Sequence, residues 1–373
     1  MSVDSDRMLS LKASHQAPVR ASTAVSATPI EGVGFEGMGG RPMSAEDGEH
    51  SSSGGSSRRR RRGKQKASSV TAPEEKPQVQ KPVAALPKKK QTEIYNLAST
   101  ASRDVEVEGV PVGRGTVAWI AGPGFVESVV QMRAIAENLK RLGCRFLRAR
   151  AWWPGAKQSD FERHLVSCLS VLRDVSKEYG LLSVSQIVHR SHLPHLLAHT
   201  DVIEVGPENS DDLELLRALG RAKTTVLLFR KPEMSFERFI TSIRALEEGR
   251  TCKIILGESG MLGAEPSAEN VLDLASIITM RRETKYPVLV DISSVARNAS
   301  YAENLALAAV AAGADGVVAE LRVEGVPQYG TRPACSLVPS QLGGMIKRAD
   351  AFKHTMNALI HTNHQLGASR EQN

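Results

Sequence analysis

The feature that most limits the fold is an alternation. Short apolar runs recur at "TVAWIAG", "CRFLRAR", "LLSVSQIV", "DVIEVG", "TTVLLFR", "KIILGES", "PVLVDIS" and "ADGVVAEL". Helix-length segments lie between them, among them "SVVQMRAIAENLKRL", "DFERHLVSCLSVLRDVSKEY" and "YAENLALAAVAAG". A near-continuous apolar run suits a parallel strand covered on both faces. Eight such runs alternating with helices predict an α/β fold, a (β/α)8 TIM barrel, with a doubly wound open sheet as the alternative. The count of eight and the polar residue at each run's C-terminal end favour the barrel, whose chemistry gathers at those ends. Ahead of the first run, "DVEVEGVPVGRG" alternates as an N-terminal β-hairpin does. Aromatics are 4% of the chain, so the core must be chiefly aliphatic.

The first part of the chain has another character. Residues 1–90 are rich in Ser, Ala, Gly, Pro and charge, and "SSSGGSSRRRRRGKQK" is nearly free of apolar groups. Such a segment cannot bury enough surface to offset the entropy of ordering, so a disordered basic tail and linker is expected there. The barrel is expected over 91–350 and a C-terminal helix and tail over 351–373. Arg58, Arg59, Arg60, Arg61 and Arg62 form a polyanion-binding candidate for nucleic acid or an acidic protein, against the plainer reading of a solubilising tether. No aromatics interleave the arginines for base stacking. The four cysteines are far apart, with no C-x-x-C pair, which fits reduced thiols inside a cell. No run of eighteen apolar residues predicts a spanning helix. The cytoplasm is the expected compartment, and the Ser- and Arg-containing start leaves organelle targeting open.

Along residues 103–345, "AGPGFVES", "LRARAWWPG", "DVIEVGPEN", "TTVLLFRK", "IILGESG", "NVLDL", "YPVLVDISS" and "AAVAAGADGVVAEL" follow one another in a familiar order. In these stretches the chain resembles the type I 3-deoxy-heptulosonate-7-phosphate (DAHP) synthases and the related octulosonate-phosphate synthases. The resemblance implies a (β/α)8 barrel that joins phosphoenolpyruvate to a sugar phosphate with a divalent metal such as Mn²⁺. It also implies self-association, and a homo-oligomer is the expected state.

The match departs at the residues that the resemblance marks as chemical. The family's metal-binding cysteine falls on Gly124, its histidine on Ser294 and its aspartate on Arg332, while its glutamate is kept as Glu320. Of the phosphoenolpyruvate groups, one arginine is kept as Arg148. The next lysine and arginine are replaced around Trp153, an arginine by Glu208, a lysine by Phe229 with Arg230 following, and another arginine by Ser259 beside Glu258. A divalent cation needs several anionic or imidazole donors, and one carboxylate with one hydroxyl is a poor set. The expectation is a catalytically impaired barrel that acts as a binding or assembly scaffold, with no cofactor. The alternative is a condensing enzyme with a divergent site and a divalent metal.

Other residues invite sharper readings. His189, His192, His195 and His199 have helical spacing, yet a solvated outer helix is the expectation rather than a metal site. Trp152 and Trp153 are read as plugging a cavity. Cys144, Cys168 and Cys252 are assigned to the core and Cys335 to a loop. Asp273, Asp291 and Asp315 are assigned to capping and bracing, and Gly313 and Gly316 to tight packing.

Overall fold

The computed structural model describes residues 104–113, 115–151, 161–263, 270–296, 298–328 and 334–370. The basic tail with Arg58 to Arg62, the Trp152–Trp153 pair and Arg332 all lie outside them.

Every one of the eight apolar runs forms a strand of one closed parallel barrel. In chain order these are β3 (Ala118–Gly122), β4 (Phe146–Arg148), β5 (Leu182–Ile187), β6 (Val202–Val205), β7 (Thr225–Arg230), β8 (Lys253–Glu258), β11 (Val288–Asp291) and β12 (Gly316–Glu320). The ring closes where β12 pairs with β3, so the open sheet is excluded. Ahead of it, β1 (Val105–Val107) and β2 (Val110–Val112) form the expected hairpin. A short pair, β9 (Met261–Leu262) with β10 (Asn270–Val271), rises after β8.

Helices alternate with the strands. They are α1 (Val129–Arg141), α2 (Phe161–Tyr179), α3 (Leu193–His199), α4 (Leu213–Arg221), α5 (Phe236–Glu247), α6 (Leu274–Glu283), α7 (Ile292–Val295), α8 (Ala299–Ala312) and α9 (Pro339–Arg370). Most begin where the sequence supplies a side-chain acceptor for an orphan amide. Ser128, Asp212, Ser235, Asp273 and Asn298 each accept from an amide of the first turn that follows. Gly313 ends α8 in the left-handed region, at φ 106°, which glycine adopts without strain. A helix crosses the boundary expected after residue 350. One continuous helix runs from Pro339 to Arg370, and its buried Ala349 and Lys353 lie on either side of that boundary. The histidine segment is as expected: a 3₁₀ turn and α3 on the outside of the barrel, with His189, His192, His195 and His199 half-buried or exposed.

Strand parity divides the core in two. Ile120, Phe146, Val184, Val202, Leu227, Ile255, Leu289 and Val318 point into the barrel and meet Val107, Val110 and Val112 of the hairpin. Their neighbours, such as Leu147, Ile203, Val226, Leu228, Leu256, Val290 and Val317, point outward against the helices. The hairpin therefore plugs the foot of the barrel, and the strands' C-terminal ends form its mouth.

Candidate active site

At the mouth the inward positions turn from apolar to polar. A cavity of about 280 Å³ there is lined by Arg148, Arg150, Gln186, Glu204, Pro207, Glu208, Phe229, Ser259, Asp291, Ser293, Ser294 and Glu320. A larger cavity, about 440 Å³, lies at the foot beside the hairpin and α9, lined by Val110, Trp119, Cys144, Arg145 and Asp350 among others. The mouth is the better functional candidate, because five strands, with Ser259 just after β8, deliver charged or hydrogen-bonding side chains to it and the foot gathers few.

Two guanidinium groups face four carboxylates in the mouth. Arg148 forms a bidentate pair with Glu204, Nε and Nη2 each donating at 2.6 Å. Both side chains are buried. Burial alone would lower the pKa of Arg148, but the carboxylates of Glu204, Asp291 and Glu320 together outweigh it and the net direction is upward. Arg150 lies over the Phe125 ring, 4.5 Å from its centre, and donates from Nε to the Gly124 carbonyl at 3.1 Å. Gln186 donates to Glu208.

Asp291 ends β11 and caps α7. Its Oδ1 accepts the amides of Ser293 and Ser294, and its Oδ2 accepts the Ser294 hydroxyl at 2.8 Å. The Ser293 hydroxyl in turn accepts the Glu320 amide, and Glu320 Oε1 accepts from Ser336 at 2.6 Å. Phe229 forms part of the floor. Its ring packs so closely on Gly257 that a Cβ there would sit 2.3 Å from a ring carbon. Gly122 is needed for a similar reason, since a Cβ would fall 1.9 Å from the Arg148 carbonyl.

The structure separates the strand-end residues that the sequence grouped together. Arg148, Glu208, Phe229, Ser259, Ser294 and Glu320 do meet at the mouth. Arg230 and Glu258 do not. They have the outward parity of Leu228 and Leu256 and bond to each other at 2.9 Å behind the strand layer. Gly124 reaches the rim through its backbone alone. Glu204 escaped the sequence reading as a site residue, although a carboxylate inside the apolar run "VIEV" is itself a signal. Bracing was expected of Asp291 and Asp315 and is found. Asp315 accepts from Arg281 and from the Val288 amide.

The family model described as DAHP synthetase I family matches residues 91–346. The chain belongs to the DAHP synthetase I family. It is 30% identical over 220 residues to the phospho-2-dehydro-3-deoxyheptonate aldolase of Thermotoga maritima, a match covering 59% of this chain and 65% of that relative. The crystal structure of the DAHP synthase of Thermotoga maritima superposes with a TM-score of 0.61 at 28% identity, over 69% of this chain and 74% of the other. A truncated form of the 3-deoxy-D-arabino-heptulosonate 7-phosphate synthase of that organism gives 0.61 at 27% identity, over 69% of this chain and 93% of its own.

DAHP synthetase I membership frames the metal question. Of the four positions that the resemblance marks as ligands, Gly124 has no side-chain donor, and its carbonyl already accepts from the Arg150 guanidinium. The Ser294 hydroxyl donates to Asp291, and one Glu320 oxygen accepts from Ser336. Among the described residues, no three His, Cys, Asp or Glu side chains gather as a metal ion would require. These residues do not fit a divalent cation, and a guanidinium beside Gly124 would repel one.

Proposed function

We propose that this DAHP synthetase I barrel is a binding or assembly scaffold that does not run the condensation associated with its family. The observation that carries this reading is the Arg150 guanidinium on the Gly124 carbonyl, a fixed positive group at the position that the resemblance assigns to a metal-binding thiolate. A condensation of this kind depends on positioned charge, and the described residues supply neither the metal ligands nor an array of cations for phosphoenolpyruvate. The second reading is a phosphoenolpyruvate-using condensing enzyme with altered chemistry. It draws on the cavity that persists at the mouth and on the retained Arg148.

One assay tests the scaffold reading against the family's condensation: consumption of phosphoenolpyruvate by the full chain with erythrose 4-phosphate and added Mn²⁺. No turnover above background is expected. Turnover on the order of one per second, an ordinary enzyme rate, would overturn the scaffold reading.

Two further parts belong to the proposal. The basic tail is the attachment element for an anionic partner, nucleic acid or acidic protein. Self-association uses the β9–β10 hairpin and the start of α6, where Met261, Leu262, Val271, Leu274 and Ile278 are all exposed.

A further inference from the structure

The retained mouth arginine is held by an anion of the chain's own. Arg148 on β4 donates twice to Glu204 on β6, and the two side chains are 8% and 3% exposed. Both line the mouth cavity. A carboxylate in this geometry covers the same two-pronged edge of the guanidinium that a bound carboxylate or phosphate would take. Arg150 stands near enough to feel the charge of Arg148, and it lines the same cavity.

We propose that Glu204 is a built-in counter-anion that sets ligand selectivity: by occupying Arg148 it turns small phosphate- or carboxylate-bearing molecules away from the mouth. The inference rests on the scaffold reading and supplies a physical cause for it. An external anion entering the cup has to displace Glu204 and leave that carboxylate buried beside it without its partner. With the charge on Glu204 removed, Arg148 loses its bidentate partner, and the two guanidinium groups face three carboxylates, Glu208, Asp291 and Glu320, in place of four. The two-pronged edge of Arg148 is then open to a small oxyanion.

The test is titration of the full chain with inorganic phosphate, comparing the wild type with Glu204→Gln. The variant should bind phosphate about tenfold or more tightly than the wild type, and adding Arg148→Met should abolish the gain. Removing one partner of a buried pair lowers stability, so phosphate should also raise the melting temperature of E204Q while leaving the wild type unmoved. A merely structural role for the pair predicts the loss of stability without the phosphate response.

Should E204Q fail to fold, the wild-type chain still decides. The Arg148 Nε–H resonance should stay in place as phosphate is added. A shift of that resonance, or equal phosphate affinity in the wild type and a folded E204Q, overturns the proposal. Turnover in the condensation assay would sink the scaffold reading and leave the affinity comparison standing. Equal phosphate affinity would sink the role of Glu204 and leave the scaffold reading in place.

Discussion

Arg230 stands between two carboxylates. Its Nε meets Glu258 and its Nη2 meets Asp273, each at 2.9 Å, and Nη1 donates to the Met234 carbonyl at 2.8 Å. One cation is shared between a buried carboxylate, Glu258, and a partly exposed one, Asp273. Burial pushes the Glu258 carboxyl up to about 7, against the opposing pull of Arg230 and the Gly260 amide, with Asp273 adding to the rise. The unfolded chain releases that proton near 4.5. Between those values the folded chain holds more protons than the unfolded one, so stability falls as pH rises. This stabilising contribution is complete below about 4.5 and is lost as pH passes through 7. Glu258→Gln should remove that slope. Urea denaturation of the wild type and E258Q between about pH 5 and 8 should show the wild type losing stability relative to the variant as pH rises. A constant difference would mean that Arg230 keeps Glu258 ionised throughout. The same trio marks where sequence reading stopped. "LLFRK" and "LGES" place Arg230 and Glu258 correctly at strand ends. A run that is apolar on both parities does not say which of its residues face inward. Glu204 could have been noticed within "VIEV", but its partner is 56 residues away, on a strand brought near it only by the pairing of β4 and β6 with β5.

At the level of elements, the eight strands were legible because a strand buried on both faces cannot hide its composition. Of the caps, Asp273 and Asp291 were read from the sequence, whereas Ser128, Asp212, Ser235 and Asn298 were not, since Ser, Asp and Asn serve turns as well as helix starts. The length of α9 was not legible, because Gly343 and Gly344, weak helix formers, lie inside it before residue 350. The hairpin was legible in outline, but its role as a plug depends on contacts far along the chain. Val112 is fully buried against the inner barrel residues, whereas Val105 is only partly buried. Val112→Ala deletes two buried methyl groups and should cost about 2 kcal/mol, the transfer and cavity effects together. Val105→Ala should cost clearly less. Urea midpoints with unchanged slopes provide the check. Equal losses at the two positions would show that the hairpin caps the foot without being packed into it.

At the scale of the whole molecule, the longest run of like charge lies outside the barrel. The run Arg58 to Arg62 lies in the part of the chain that precedes the barrel, and among the described residues no helix is long and apolar enough to cross a membrane. If the five arginines all meet phosphates, affinity for single-stranded RNA should fall about a hundredfold between about 50 and 200 mM salt through counterion release. Changing Arg58 to Arg62 to Ser in the full chain should remove most of that dependence. Binding that ignores salt, or that survives the substitution, would move the contact to the barrel surface. The plugged foot has its own consequence. With Val107, Val110 and Val112 filling the lower end, the barrel is a vessel with one door, and whatever enters at the strands' C-terminal ends must leave the same way. Arrivals and departures cannot cross there, so the dwell time of one guest sets how soon the next can be received.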